Sequence, residues 1–510
     1  MFKKVLVANR GEIAVRVIRA LRELRVASVA VHSEADRGAL HTRLADEAVE
    51  IGPAPSAQSY LAMDRVLEAA QRTGAEAIHP GYGFLSENAA FVRRCDKAGI
   101  VFVGPSARAM AQLGDKLKAR ALAKRLGVPL TPGSDGPLAS AKDAEKVARR
   151  IGYPVLLKAA GGGGGLGMRV VRKPGELAAA LDAARAQAEA AFGQPGVFLE
   201  KFHERPRHVE VQVLGLGSDA IHLGERECSL QRRYQKLVEE APSPALNATQ
   251  RAEVAEQALK LFRAAKYENA GTAEFLMAEG GLYFNEVNAR LQVEHPVTEM
   301  VTGIDLVHAQ LRIAAGQDLG FAQRDVHWRG WAFECRINAE DPFSNFAPSP
   351  GKIALHAPPA GPGVRVDAGV ESGSVVPAAY DSLVAKLIVH GASRAEALAR
   401  LRRALGEYRV EGVRTTLPLH RAIAAHKAFA AGKLHTKFLE EHRILEGLER
   451  ERAHVAQQRR DRVAALAAVM AAKPAVLARL AARDAIPTLA APPDAWRTAA
   501  RAEGLRRWPP

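Results

Sequence analysis

Cysteine is almost missing from this chain: three in 510 residues (Cys95, Cys228, Cys335), none at metal-ligand spacing. That argues against a thiolate metal centre and fits a reducing, cytoplasmic setting. No apolar run approaches the roughly 18 residues of a membrane span. Met1-Phe-Lys-Lys leads straight into the strand-like VLVAN, so no signal peptide is expected. Aromatic residues make up 5%, and no basic stripe is interleaved with them; nucleic acid is therefore not an expected partner, despite a net charge of +15. Internal repeats are also lacking. The rest of the composition, 48% hydrophobic and 25% charged, is that of a globular protein, and the length allows two to four domains with real cores. The tail 447–510 carries 12 Lys and Arg against 6 Asp and Glu, so +6 of the excess sits there. The remainder reads as a bias toward arginine and alanine, or equally as attraction for an anionic substrate.

Residues 1–114 alternate strand and helix. VLVAN (5–9) is a buried-strand run, Gly11–Arg25 has helical apolar spacing, and VASVAVH (26–32), AEAIH and GIVFVGPS (99–106) are further strands. This pattern predicts a doubly wound parallel sheet. The first turn, Asn9-Arg10-Gly11-Glu12, lacks GxGxxG, which argues against dinucleotide binding there. His79-Pro80-Gly81-Tyr82-Gly83 follows a strand, where such sheets place ligands, and is open to a second reading as a simple Gly/Pro turn. A helix starts at Asp115-Lys116, putting a lysine at the wrong end of the helix dipole. An anionic neighbour such as phosphate would resolve this, and so would solvation.

YPVLLK-AAGGGGGLG-MRVV (153–171) reads as strand, glycine loop, strand. No helix follows and GK[ST] is absent, so neither a Rossmann turn nor a P-loop fits. A flap closing bare N–H groups over phosphates does fit, with Lys158 reaching the same phosphates. Five consecutive glycines carry a large conformational-entropy cost that a merely structural turn seldom needs. Tyr283–Glu299 (YFNEVNARLQVEHPVTE) begins with strand alternation that puts Phe284, Glu286, Asn288 and Arg290 on one face. With TAEFLMAEGGLYF it forms a hairpin whose turn at Gly280 sets Glu274 opposite Glu286. Facing carboxylates repel. Either a hard divalent cation lies between them, Mg²⁺ or Mn²⁺ holding a nucleotide phosphate, or the face is solvated and Arg290 neutralises it. Beyond Trp331 the chain is strand-rich to about Leu445.

The glycine flap, the lysines at 116 and 158 and the facing carboxylates resemble, in this order, the ATP-grasp superfamily. ANRGEIA (8–14), HPGYGFLSEN (79–88), GGGGGLGM (161–168), PRHVEVQV (206–213), ECSLQRRYQK (227–236), NEVNARLQVEHPVTEM (285–300), FECRINAEDP (333–342) and YDSLVAKL (380–387) narrow the resemblance. Residues 1 to about 445 resemble the biotin carboxylase family, the ATP-dependent component of biotin-dependent carboxylases. The fold this implies is α/β and α+β. A Rossmann-like N-terminal domain (1–114) would precede an ATP-grasp domain (115–330) with a mobile glycine-rich lid at about 131–203, then a β-rich C-terminal domain (331–445). A basic Ala/Arg-rich helical tail (446–510) would follow.

The implied reaction phosphorylates bicarbonate with ATP to carboxyphosphate, whose CO₂ is captured by biotin N1. Carried over position by position, the resemblance implies that Lys116, Lys158, His208, Gly164 and Gly165 hold ATP phosphates. Glu200, Lys201 and His203 would line the adenine pocket, with Gln231 and Tyr234 near the nucleotide. Glu274 and Glu286 would bind two Mg²⁺ or Mn²⁺ ions, with Asn288 beside them. Lys236, Arg290, Gln292 and the Val293 backbone would hold bicarbonate, with Glu294 as its base; Arg336 would stabilise the biotin enolate beside Tyr82. Such residue types suit proton abstraction by a carboxylate in a cationic cradle and charge neutralisation during phosphoryl transfer.

Three positions depart from the pattern: Leu166 where Arg or Lys is usual, Tyr234 where His is common, and His203 where an apolar residue is usual. Altered ATP affinity or lid behaviour is the expected consequence. No Met is followed by Lys, the site of biotin attachment, and no carboxyltransferase domain is expected. The expectation is therefore a separate subunit that forms a homodimer, with Arg16 as a candidate interface residue. It would act on a biotin carboxyl carrier protein and pair with a carboxyltransferase subunit of acyl-CoA or pyruvate type. DAWRTAARAEGL (494–505) would be either a docking segment or a poorly ordered terminus. Two rivals share parts of the pattern: another ATP-grasp ligase, which would not require Arg336 or RLQVEHP, and a scaffold subunit that has lost catalysis. A kinase is disfavoured because neither HRD nor DFG occurs.

Overall fold

Short apolar runs with no polar alternation need cover on both faces, and the first five strands receive it. β1 (Lys4–Val7), β2 (Ala27–His32), β3 (Glu47–Glu50), β4 (Ala77–His79) and β5 (Val101–Phe102) form one parallel sheet in the order β3-β2-β1-β4-β5. Val5, Leu6 and Val7 on β1 are fully buried, as a central parallel strand requires. The edge strand β3 (EAVE) is mostly exposed and carries no apolar run, so nothing in the sequence announced it. At the carboxyl end of the sheet, Asn9 Nδ2 donates to the carbonyls of Pro80 (2.7 Å) and Tyr82 (2.8 Å), tying together the turns after β1 and β4. Gly81 between them has φ +62°, and a Cβ there would lie 3.0 Å from the Asn9 amide.

The computed structural model describes residues 1–159, 168–193, 196–279 and 281–472. The glycine loop, with the expectations placed on Gly164, Gly165 and Leu166, lies outside them, as do residue 280 and the tail beyond 472. On either side of the loop, β6 (Val155–Ala159), β7 (Arg169–Val171) and β8 (Val197–Lys201) form an antiparallel sheet in the order β7-β6-β8. Val155, Leu157, Val171 and Leu199 bury one face of it against Ala144, Leu181 and Ala184 of the flanking helices.

β9 (Arg207–Leu216), β10 (Ala220–Arg232), β11 (Gln235–Ala241), β12 (Glu268–Ala278), β13 (Gly281–Asn288) and β14 (Trp331–Asn338) build the centre of a larger antiparallel sheet. The small strands β15 (Glu340–Asp341), β16 (Ala347–Pro348), β17 (Gly351–Lys352), β18 (Leu355–Ala357), β20 (Val375–Val376) and β22 (Arg409–Glu411) pair off as ribbons. β19 (Val364–Ala368) and β21 (Leu383–Gly391) instead complete the large sheet, whose order is β13-β12-β9-β10-β11-β14-β21-β19. On β9, Val209, Val211 and Val213 enter the core while His208, Glu210 and Gln212 take the opposite face.

Glu274 lies directly opposite Glu286, as expected, but the pairs from Phe275–Phe284 to Ala278–Gly281 run one residue out of that register. A bulge at Asn285 therefore breaks the alternation. Phe284 is fully buried in the core with Val287, so it does not share the face of Glu286, Asn288 and Arg290. Strict period two missed the extra residue, which leaves Asn285 and Glu286 both lining the same cleft.

By contacts the chain divides into two units, Met1–Leu445 and Glu446–Pro510. The described part of the second is helical, belonging to the helix Ile444–Ala472, with Val463 and Leu466 exposed.

Candidate active site

One cleft of about 1230 Å³ is lined by every described residue singled out from the sequence as a site candidate: Tyr82, Lys116, Lys158, Glu200, Lys201, His203, His208, Gln231, Tyr234, Lys236, Glu274, Glu286, Asn288, Arg290, Gln292, Val293, Glu294 and Arg336. Its floor is the polar face of the large sheet. Its walls are the three-stranded β7-β6-β8 layer and the turns tied together by Asn9.

The centre is a lysine with no idle proton. Lys236 Nζ donates to Glu210 Oε2 (2.6 Å), Glu274 Oε1 (2.9 Å) and Glu294 Oε1 (2.6 Å), one acceptor for each of its three N–H groups. All three carboxylates are nearly or wholly buried. Burial lowers the Lys236 ammonium, but Glu210, Glu274 and Glu294 outweigh it and hold the group well above its ordinary value. Burial likewise raises Glu294, yet Lys236, then Arg336 and Arg226, keep it ionised far below the usual carboxylate range. Glu274 is held low in the same way, by Lys236 and by His208 Nε2 at 3.0 Å. On the hairpin itself, Lys236 and His208 pair with Glu274 and Lys116 with Glu286, while Arg290 acts on Glu274 only at longer range. Arg290 pairs with Glu87 (2.9 Å) and donates to Asn288 Oδ1 (3.0 Å).

Beneath this centre is Arg226, fully buried. Its five N–H groups donate to Glu210, Gln212, Thr298, Thr272 and Gln292 at 2.6–3.2 Å. Nothing singled out Arg226, Glu210, Arg120, Glu239 or Lys386 beforehand. The alternation of β9 contained a signal for Glu210, since it shares a face with His208. The others meet the site only through tertiary pairing.

Arg336 on β14 bridges two carboxylates, Nε to Glu239 Oε1 (2.6 Å) and Nη2 to Glu294 Oε2 (2.8 Å). Burial pushes the Glu239 carboxyl up to about 7, against the pull of Arg336. Opposite Glu239 in register lies Glu334, fully buried and raised well above the ordinary value by that burial.

The loop after β13 has no ladder of its own, and side chains hold its backbone instead. Ala289 N–H donates to Glu87, and the carbonyls of Leu291, Gln292 and Val293 contact Arg290 Nη1 (3.1 Å), His295 Nδ1 (2.8 Å) and Lys386 Nζ (2.9 Å).

At the other end, Lys116 meets Glu286 Oε2 at 2.8 Å, so a carboxylate supplies its anionic neighbour here. Lys158 pairs with Glu200 Oε2 (2.6 Å), and Arg120 with Glu200 Oε1. Burial raises Glu200, but Lys158 and Arg120 prevail and keep it ionised. Lys201 Nζ is turned to the carbonyls of Gly152 (3.1 Å) and Tyr153 (2.9 Å), leaving its stem to the cleft. His203 stacks on Tyr283 (centroids 5.4 Å apart). Gln231 Nε2 meets His208 Nδ1 at 2.8 Å. Tyr234 is 52% exposed at the two-residue turn between β10 and β11, where it and Arg233 adopt positive φ. Arg16, the candidate interface residue, is 8% exposed and paired within the chain to Glu299 (2.9 Å) and Asp305 (2.7 Å).

Glu274, Glu286 and Asn288 offer only oxygen ligands from adjacent strands, a donor set that suits Mg²⁺ or Mn²⁺. Both carboxylates already attract cationic side chains, so the residues fit a divalent metal.

Three family profiles cover this chain: the Biotin carboxylase N-terminal domain over 1–110, the Carbamoyl-phosphate synthase L chain ATP binding domain over 115–322, and the Biotin carboxylase C-terminal domain over 334–441. The biotin carboxylase of Pseudomonas aeruginosa is 54% identical over 442 residues, 86% of this chain and 98% of that one. The chain belongs to the biotin carboxylase family. A pyruvate carboxylase subunit of Methanothermobacter thermautotrophicus is 52% identical over 465 residues, 91% of this chain and 94% of that one. Among solved structures, the biotin carboxylase domain dimer of Hydrogenobacter thermophilus 2-oxoglutarate carboxylase, in complex with MgADP, ADP and bicarbonate, superposes with TM-score 0.84 at 49% identity. It covers 87% of this chain and 98% of that one. Among the described residues, no helix is long and apolar enough to cross a membrane.

Proposed function

We propose that this chain catalyses the ATP- and bicarbonate-dependent carboxylation of biotin carried on a separate protein, the first half-reaction of an acyl-CoA or pyruvate carboxylase. The observation that carries the reading is Glu294, one buried carboxylate suspended between Lys236 and Arg336. Bicarbonate is a poor nucleophile, and its proton must be removed next to cations that hold the resulting dianion. Glu294 stays ionised across neutral pH, and Lys236, Arg290, Gln292 and the Val293 N–H surround the place where the anion would sit. When bicarbonate enters, Lys236 exchanges carboxylate partners for substrate oxygens. That frees the Glu294 oxygen to take the proton.

Lys116, Lys158, His208 and the flap with Gly164 and Gly165 would hold the ATP phosphates, and Glu200, Lys201, His203, Gln231 and Tyr234 the nucleoside end. Glu274, Glu286 and Asn288 would hold Mg²⁺ or Mn²⁺, which neutralises phosphate charge when bound. Arg336, fixed by Glu239, offers its guanidinium to the biotin enolate oxygen near Tyr82, so that N1 attacks CO₂. A carrier protein would deliver the biotin and a carboxyltransferase would receive it; the homodimer is proposed by analogy with the dimeric relative, and a cytoplasmic location from cysteine usage.

The test is ADP release with bicarbonate and free biotin varied independently. Stimulation by both is expected, and Glu294→Ala should abolish it while sparing nucleotide binding. ADP release indifferent to both additions would overturn the reading in favour of another ATP-grasp ligase.

A further inference from the structure

Lys386 is fully buried on β21, directly opposite Arg336 on β14. Two cations facing each other across a ladder destabilise it, and a buried ammonium is costly unless it is paired. A leucine or methionine would fill the position without that penalty. What the lysine gains is contact with three parts of the chain at once. Its Nζ donates to Val293 O at 2.9 Å, lies 3.3 Å from Glu12 Oε2 in the first turn of the helix Gly11–Glu23, and lies 5.9 Å from the centre of the Tyr82 ring. Glu334 and Asp367 act on it from β14 and β19.

The contact matters because of where Val293 sits. Glu294 is the N-cap of the helix His295–Thr302, yet its side chain makes no cap bond and is turned to Lys236 and Arg336 instead. Beyond those two contacts its orientation depends on the preceding peptide, whose carbonyl oxygen Lys386 holds. We propose that Lys386 is a positioning residue: it pins the Val293–Glu294 peptide and so aims both the Val293 N–H and the Glu294 carboxylate at bicarbonate. The proposal rests on the bicarbonate reading above.

The test uses the full-length chain and the double variant Lys386→Met/Glu12→Gln, which removes both charges of the buried pair and so avoids stranding either one. Expected are an unchanged KM for ATP and a kcat/KM for bicarbonate lower by about 10²-fold, the size of loss a small misplacement causes. Glu12→Gln alone keeps the lysine–carbonyl bond and should leave the bicarbonate dependence unchanged. If the double variant fails to fold, Lys386→Gln/Glu12→Gln, polar but too short to keep the bond to Val293 O, takes its place and should show the same loss. A double variant with wild-type bicarbonate kcat/KM, or a Glu12→Gln variant as impaired as the double, overturns the proposal. Glu294→Ala run in parallel separates the two failures, because bicarbonate-dependent turnover surviving that change would overturn the site reading itself.

Discussion

Replacing Lys236 with Met removes the one cation shared by three buried carboxylates. Glu210 keeps Arg226, Glu294 keeps part of Arg336, and Glu274 keeps His208. The cluster is thus left one positive charge short. Stranding one buried charge costs about 3–5 kcal/mol, and the cheapest relief is a proton on Glu274 or Glu294. In the wild type both are held below their unfolded value, so they stabilise the fold above the unfolded carboxylate pKa. That contribution is lost only as pH falls through the depressed folded pKa. In the variant one folded pKa rises above the unfolded value, so stability falls as pH climbs between the two. The gap between wild type and variant should therefore widen with pH, by up to about 1.4 kcal/mol per pH unit for one proton. Thermal unfolding at pH 5.5 and 8, with proton uptake measured by potentiometric titration, reads this directly. Bicarbonate-stimulated ADP release should fall by at least about 10²-fold. A stability cost equal at both pH values, or no additional bound proton, would refute the charge count.

Burial holds Glu334 above its unfolded value, so wild-type stability drops as pH rises from the unfolded carboxylate pKa towards the raised folded one. Glu334→Gln should therefore gain on the wild type with increasing pH, read as thermal midpoints at pH 5 and 8. Arg226→Met leaves Glu210 with a single cation and five acceptors without their donor. A loss of about 3–5 kcal/mol is expected in denaturant unfolding, together with a raised KM for bicarbonate through Gln292. Asn288 donates to Glu274 Oε1 at 2.8 Å, so Asn288→Ala should raise the free Mg²⁺ needed for half-maximal ADP release by about 10–100-fold.

How much of this was legible beforehand depended on the range of the interaction. The parallel N-terminal sheet could be read from VLVAN and VASVAVH because a buried strand advertises itself in consecutive apolar residues. The exposed edge β3 has no such run and went unseen. The facing of Glu274 and Glu286 followed from counting about Gly280, although in the fold it is the bulge that brings them into that register. The burial of Phe284 did not, because a one-residue bulge at Asn285 is invisible to period-two counting. Motif resemblance brought the cleft residues together, including Lys236 and Arg336, which lie 100 positions apart. It assigned no role to Arg226, or to Lys386 within YDSLVAKL, whose roles arise from five acceptors and three chain segments meeting in space. Arg16, expected at an interface between two copies, pairs within the chain with Glu299 and Asp305, partners far off in sequence.

The large sheet does not stop where the ATP-grasp and C-terminal regions were expected to meet. β11 pairs with β14 from Val238–Cys335 to Ala241–Ala332, so a cut between residues 330 and 331 would leave two mutually complementary edges. Fragments separated there would be poor candidates for independent folding and good ones for reassembly. A split version of this enzyme, co-expressed from two messages, should recover turnover only when the halves zip together along that seam. The seam carries Glu239 on one side and Glu334 on the other, so each half would bring one member of the acidic pair next to Arg336.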